Sequence, residues 1–348
     1  MKAYSYIPSY TVPASAFIGI YLGGFWTFIT PIYIFLLLPV AEWFAGENRY
    51  NLIPQEEERT KSSLGYSFLL WSHVPIQYFL TGYFLWICST GQLTGWSLAG
   101  GILSVGISNG GVGITVAHEL IHRSSRFKQW LGRTILLTTF YMHFAVEHVY
   151  GHHKHVATPD DPATAKKGEH FYRFWLRTVP GQYFSAWKIE LKRLAKYGHS
   201  FFSIHNEMLL FLILQIGFLI LIAVLFGGFV ILPFMASCVV AFSLLEAVNY
   251  LEHYGLERRV KPGKGKYEKV DHHHSWNSDY LISRMFLFEL SRHSDHHAVA
   301  SRKYQLLRSF EESPQLPTGY PGMILIALFP PLWFRIMDPL VEKASKNH

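Results

Sequence analysis

Charge-poor apolar stretches, each about long enough to cross a lipid bilayer, constrain this chain more than any other feature. The hydrocarbon core of a membrane is about 30 Å thick and is spanned by about 20 residues of helix. Runs of that kind occupy residues 4–22, 25–43, 64–88, 96–117, 208–226 and 229–250, with Glu42 and Glu246 near the ends of two of them and His73 inside a third. Gly23-Gly24 and Gly227-Gly228 separate the first and last pairs. The pattern predicts an all-α protein with six membrane-spanning helices in three hairpins, the first pair interrupted by Pro8, Pro13 and Pro31. Half of the residues are apolar and 16% are charged. Soluble globular proteins carry about 25% charged residues, so composition excludes a disordered chain and weighs against a cytosolic enzyme.

The basic residues give an independent reading of topology, because Lys and Arg collect on the cytoplasmic side of short loops. Of the 31, Lys2 precedes the first run, Arg49, Arg59 and Lys61 separate the second from the third, thirteen fall between residues 117 and 207, and fourteen follow residue 250. The turns at 23–24, 89–95 and 227–228 hold none. Both termini and the two large polar segments, 118–207 and 251–348, are therefore expected on the cytoplasmic side of an inner membrane, as one domain over residues 1–348. The first run lacks a strongly basic start and an AxA-like exit, so it reads as a retained span. The net charge of +7 describes a basic cap suited to anionic lipid headgroups or an acidic protein partner. Nucleic acid is not an expected partner, because the Lys and Arg are dispersed among 24 acids.

Histidine carries the chemistry. Of 19, all but His73 lie in the polar segments or where these join the helices. His118-Glu119-Leu120-Ile121-His122 continues the fourth run, and Glu147-His148-Val149-Tyr150-Gly151-His152-His153 follows it. His253 ends the sixth run, and Arg292-His293-Ser294-Asp295-His296-His297 comes last. Residues i and i+4 share a helical face and can grip one ion with two imidazoles. His118/His122, His148/His152 and His293/His297 have that spacing, and His153, His253 and His296 bring the candidate ligands to nine.

Four or five nitrogens serve one transition metal and still leave an open position, so nine imidazoles suit two ions. Zinc takes three or four ligands and has no redox chemistry, whereas a pair of irons can supply electrons to O₂, so two Fe ions are the expected cofactor. Glu119, Glu147, Glu252 and Asp295 stand beside the ligands. Such carboxylates can accept the outer ring N–H of a ligand histidine and fix its tautomer. His143, His155, His170, His199 and His205 are expected as supporting or surface residues, and the run His272-His273-His274 lies between two ligand clusters with its role open. An intramembrane zinc hydrolase would need two histidines and an acid, leaving the others idle; a non-catalytic metal-binding or transport protein is the other competing class. Cys88 and Cys238 cannot form a CxxC pair or an iron–sulfur cluster.

The motifs resemble those of the integral-membrane alkane 1-monooxygenase (alkane omega-hydroxylase) family, within the membrane fatty acid desaturase and hydroxylase superfamily. The strings are HELIHR at 118–123, EHVYGHHKHVATPDDPATA at 147–165, NYLEHYGL at 249–256, HHSWNS at 273–278, LSRHSDHH at 290–297 and LPTGYPG at 316–322, so the likeness runs from about residue 65 to 339. Carried over position by position, the family's nine ligands of a non-haem di-iron centre fall on His118, His122, His148, His152, His153, His253, His293, His296 and His297. The resemblance implies a six-helix bundle similar to membrane stearoyl-CoA desaturases, its helices extending into a cytoplasmic cap that holds the irons. It further implies O₂-dependent terminal hydroxylation of medium-chain n-alkanes to 1-alkanols. The electrons would come from a separate rubredoxin and its NADH-dependent reductase.

Xylene-type monooxygenases share the HYG string, but the DPATA string favours the alkane branch over hydroxylation of alkyl aromatics or fatty acyl chains. Desaturases generally carry HxxHH in the second cluster, where this chain has HxxxHH. Lys154-His155 departs from the less histidine-rich residues expected after that cluster. A linear alkane is expected to enter from the bilayer through an apolar channel. Gly110, Gly111, Gly113 and Ala117 on the fourth run are small enough to let helices approach there.

Overall fold

The computed structural model describes residues 1–261, 263 and 265–347. Among them the regular structure is helical, with only isolated bridges such as Glu47 to Tyr280 and Asn277 to Gln315. A 3-10 segment, Ala3–Tyr10, leads into α1 (Thr11–Leu22). There follow α2 (Gly24–Ala45), α3 (Pro54–Ser62), α4 (Leu64–Ser89), α5 (Gly95–Ile121), α6 (Arg126–Thr138) and α7 (144–155). The second half contains α8 (Phe171–Lys196), α9 (Glu207–Phe226), α10 (Gly228–His253), α11 (Leu281–Phe286), α12 (His293–Ala298), α13 (Tyr320–Ala327) and α14 (Pro330–Asn347).

Among the described residues four helices, α2, α5, α9 and α10, are long and apolar enough to cross a membrane, and they coincide with four of the six expected runs. The other two runs differ from them for physical reasons. Residues 4–22 are divided between the 3-10 segment, which contains Pro8, and the 12-residue α1. Proline has no N–H with which to continue an α-helical ladder. Residues 64–88 form the continuous 26-residue α4, about 39 Å long. Its aliphatic residues alternate with His73, Gln77 and many aromatics, which lowers its hydropathy below that of the other four. Inside the segment assigned to the polar cap, α13 and α14 form an apolar pair bent by 118°, a fifth candidate span that hydropathy read along the chain had missed.

The central helix is α5, most of which is buried by its neighbours. Its glycines explain how the neighbours come so close. A methyl group on Gly106 would collide with Val240, one on Gly110 with the backbone of Ala241, and one on Gly113 with the side chain of Gln77. Gly106 and Gly110 thus set α10 against α5, and Gly113 seats α4, as small residues do where membrane helices pack. Gly111 differs, because a methyl group there would meet open space.

By contrast α9 is nearly bare: Ile213, Ile220, Val224 and Leu225 are exposed, as lipid-facing residues must be. The helix starts where the Asn206 side chain accepts from Leu209 N at 3.0 Å, and it ends at Gly227, whose φ of +92° turns the chain into α10.

Buried polar contacts clamp the loop before α12. Tyr6 donates its hydroxyl to Glu289 at 2.7 Å, Arg284 Nε reaches the same carboxylate at 2.7 Å, and Arg292 Nε reaches Asp279 at 3.1 Å. The Asn277 side chain accepts from Ser294 N at 2.8 Å and donates to Ser294 Oγ at 2.7 Å. The N-terminal segment and the 277–292 loop together fix the short helix that carries the last three clustered histidines.

Candidate metal centre

The ends of α5 and α10, the middle of α7 and the whole of α12 converge on one buried point. Each delivers histidine because each is a helix with its clustered residues on the inner side: α5 presents His118 and, at the residue that caps its end, His122; α7 presents His148, His152 and His153, α10 presents His253, and α12 presents His293, His296 and His297. Their ligand atoms gather into two groups, each within 4.8 Å of one another. His118, His122, His148, His153 and His296 form one group, and His152, His253, His293 and His297 form the other. All nine candidates from the sequence are therefore together, at nitrogen spacings such as 3.0 Å between His296 and His153 and 2.9 Å between His297 and His293.

The division between groups departs from the spacing argument at one place. His118/His122 and His293/His297 each serve a single group, but His148 and His152 do not share one. The cause is a π-helical turn, His148–His152, within α7. A π turn brings i and i+5 into line in place of i and i+4, so His148 meets His153, with 3.1 Å between their Nε2 atoms, and His152 turns to the second group.

The donor set suits metal cations. The Nε2 atoms of His118, His122 and His152 are buried without a hydrogen-bond partner among the described residues. Leaving such an atom unmade costs about 1–3 kcal/mol, and facing lone pairs repel unless a cation lies between them. Burial, followed by the neighbouring imidazoles, also holds His122, His148, His296 and His297 well below the usual histidine range, so these rings are neutral and ready to donate lone pairs. Each group could hold one metal ion.

The four acids singled out by proximity in sequence make other contacts. Glu119 accepts from Tyr304 N at 3.2 Å and pairs with Arg123 at 3.3 Å. Glu147 accepts from Ser185 at 3.2 Å, and burial reinforced by the Asp161 charge pushes its carboxyl well up. Asp295 accepts from Arg308 N at 2.9 Å and pairs with Arg302 at 3.3 Å. Glu252 lies 3.1 Å from His293 Nε2. The carboxylate on the outer nitrogen of a clustered histidine is Asp161, 2.9 Å from His152 Nδ1 and also bonded by Thr164 at 2.6 Å. Burial alone would raise Asp161, but His152 beside it holds it below the usual carboxylate range. Asp161 lies nine residues beyond His152, too far for an adjacency rule, although the VATPDDPATA string contains it.

The remaining histidines among the described residues stand apart from both groups. The backbone at His274 bonds His253, while the His274 ring pairs with Glu268 at 3.1 Å and with Asp271 at 2.9 Å. His272 lies 3.7 Å from Asp295 and stacks on Phe310. His143 is buried between Tyr141 and Tyr183, where burial pushes it down to about 3. His155 sits 3.9 Å from Asp160, His170 caps α8 by accepting from Arg173 N at 3.2 Å, and His199 stacks on His205.

Among the described residues an apolar cavity and a basic groove both reach the centre. The cavity runs beside α5 from Ile107 to His118, about 16 Å of helix. Its wall includes Val12, Ile34, Phe35, Leu38 and Gly111, and at its inner end it touches His118, His148 and His293, members of both groups. The basic groove is lined by Lys61, Arg123, Lys128, Arg302 and Lys303, and it reaches His122.

Comparison with known proteins agrees with this architecture. The model of the fatty acid desaturase family matches residues 94–327. Alkane 1-monooxygenase 1 of Pseudomonas aeruginosa is 42% identical over 326 residues, covering 92% of this chain and 84% of that relative. Alkane 1-monooxygenase of Acinetobacter baylyi is 40% identical over 320 residues, covering 91% and 77%. The xylene/toluene monooxygenase hydroxylase component XylM of Pseudomonas putida is 29% identical over 334 residues, covering 94% and 85%.

Proposed function

This chain belongs to the fatty acid desaturase family and, within it, to the alkane 1-monooxygenases, and from that premise we propose that it hydroxylates the terminal carbon of medium-chain n-alkanes. The co-substrate is O₂, and two electrons come from a separate rubredoxin served by an NADH-dependent reductase. The observation that carries this reading is the apolar cavity whose inner end touches histidines of both groups.

His118, His122, His148, His153 and His296 would hold one iron and His152, His253, His293 and His297 the other, and the pair would supply the redox chemistry with O₂ that side chains lack. The chain's own residues position the substrate and keep water out. Polar groups along the cavity are already engaged: Thr115 donates to Gly111 O at 2.7 Å, Asn249 to Glu246 at 3.1 Å and Tyr320 to Glu252 at 2.6 Å. An alkyl chain gains about 0.8 kcal/mol for each CH₂ it buries there, a preference too even to select one length. Length and terminal selectivity come from the shape of the cavity, which admits one chain end to the histidines and bounds how much of the chain fits behind it.

The Ala3–Tyr10 segment with α1, and the long α4, complete a six-helix membrane bundle around α2, α5, α9 and α10. The segregation of Lys and Arg supports an inner-membrane orientation with both termini and the metal centre cytoplasmic. The basic groove beside His122 then faces the cytoplasm, where it suits an acidic electron carrier.

The test is product analysis by gas chromatography after purified protein, rubredoxin and its reductase are given NADH, O₂ and a mixture of n-alkanes, fatty acids and xylenes. The expected product is the 1-alkanol, with about two irons per chain. One zinc per chain with hydrolytic activity would replace this reading.

A further inference from the structure

We propose that Glu252 is itself a ligand of the metal ion in the four-histidine group, a role distinct from supporting a ring from outside; the proposal rests on reading the centre as a pair of irons. Glu252 Oε2 lies 3.1 Å from Nε2 of His293. That nitrogen is the inward one, 2.9 Å from His297 Nε2 and 3.3 Å from His253 Nε2, whereas the Nδ1 of His293 has no hydrogen-bond partner among the described residues. A carboxylate that supports a ligand ring sits on the opposite nitrogen, as Asp161 does on His152 Nδ1 while His152 Nε2 points to the centre. Glu252 therefore points an oxygen at the inward nitrogen of His293.

Its other oxygen is already held. Tyr320 donates its hydroxyl to Glu252 Oε1 at 2.6 Å, and Trp276 N donates to the Glu252 backbone carbonyl at 2.8 Å. Tyr320 is fully buried and lines the apolar cavity beside Glu252, so the pair forms part of the wall between the cavity and the four histidines. No Lys or Arg pairs with Glu252 among the described residues. A buried carboxylate without a cation is costly, and a bound metal is the compensating charge that the position offers.

Donor number agrees with this placement. The first group offers five imidazoles and the second four, so one carboxylate oxygen brings both to five donors. It also brings a negative charge to a set of neutral rings.

The experiment uses full-length protein loaded with ⁵⁷Fe in detergent and compares Mössbauer spectra of the wild type, Glu252→Gln, Glu252→Asp and Asp161→Asn. A wild-type chain that holds one iron, or zinc, removes the iron-pair reading itself, whatever the variants do. With two irons in the wild type, Glu252→Gln is expected to alter the quadrupole doublet of one iron, leave the other unchanged, and release one iron to a chelator at least tenfold faster. The change in that doublet should exceed the one produced by Asp161→Asn, which removes only an outer support. Glu252→Asp keeps the charge but withdraws the oxygens by one methylene, so it should alter the same doublet, and it decides the matter if Glu252→Gln does not fold. A spectral change no larger than that of Asp161→Asn in these Glu252 variants would overturn the assignment.

Discussion

Nε2 of His153 lies 3.1 Å from Nε2 of His148, five residues earlier, while His152, four residues from His148, belongs to the other group. One helical turn thus divides its histidines between two sites. His148→Ala and His153→Ala should consequently impair the same metal ion, and His152→Ala the other. Metal content per chain, read together with the spectrum of the ion that remains, checks this. All nine alanine variants should abolish turnover. His199→Ala, whose ring stacks on His205 away from both groups, should keep most of it.

Asp161 fixes the ring of His152 through Nδ1 at 2.9 Å. Outer partners of this kind are worth about 10- to 100-fold in metal affinity. Asp161→Asn is expected to lower affinity at one site by that amount while leaving the other site filled, as measured by competition with a chelator. Equal loss from both sites would show that the substitution acts on folding and not on His152.

How much of this centre could be read from sequence follows from the range of the contacts involved. HxxxH spacing within α5 and α12 is a local property, so His118/His122 and His293/His297 were legible. The partition of His148 and His152 was not, because it depends on the π turn in α7, which no residue type marks. Asp161 was missed for a similar reason: the turn at Thr158 folds it back onto His152, and the carboxylates nearest in sequence, Glu119, Glu147 and Asp295, serve Arg123, Ser185 and Arg302 instead. In the fold, aliphatic runs gave α2, α5, α9 and α10 directly. The aromatic and amide content of α4, and the sharp bend between α13 and α14, lie outside what average hydropathy registers.

Acid should destabilise the metal-free protein. Burial first, and then neighbouring imidazoles, hold His122, His148, His153, His293, His296 and His297 well below 6.5 in the folded chain. The unfolded chain takes up protons as pH falls through 6.5, and the folded chain does not. Stability is therefore retained above that pH and lost below it, by up to about 1.4 kcal/mol per pH unit for each ring. Glu147, pushed up by burial, acts in the opposite direction, because the folded chain takes up its proton before the unfolded chain does. Thermal unfolding of metal-free protein from pH 8 to 5 should show Tm falling below about pH 6.5. A constant Tm would mean that the rings are not held neutral in the fold.

The groove beside His122 offers a test of electron delivery. Lys61 and Lys128 line it, and Lys61 is exposed. Charge complementarity of this kind acts mainly on association rate and its salt dependence. Lys61→Glu with Lys128→Glu should raise the KM for rubredoxin and weaken its dependence on ionic strength, with metal content and kcat nearly unchanged. Unchanged steady-state kinetics would place the electron donor elsewhere on the cap.

Two neighbouring glycines separate substrate selection from folding. A side chain at Gly110 would press on the backbone of Ala241, where neither helix can yield without opening the contact between α5 and α10. A Cβ at Gly111 would meet no heavy atom of the neighbouring elements within 4 Å, and the position lines the apolar cavity. Overpacking a well-packed contact costs about 1–3 kcal/mol, and filling open space costs little. Gly110→Leu is therefore expected to lower Tm and metal content together. Gly111→Leu should melt close to the wild type, yet it takes up cavity space within two turns of His118, so less room remains for a chain whose end lies at the histidines. Its products from an alkane mixture should shift toward shorter 1-alkanols, while the position of hydroxylation stays terminal. An unaltered length profile in a folded, metal-replete Gly111→Leu protein would show that the alkane does not occupy this cavity.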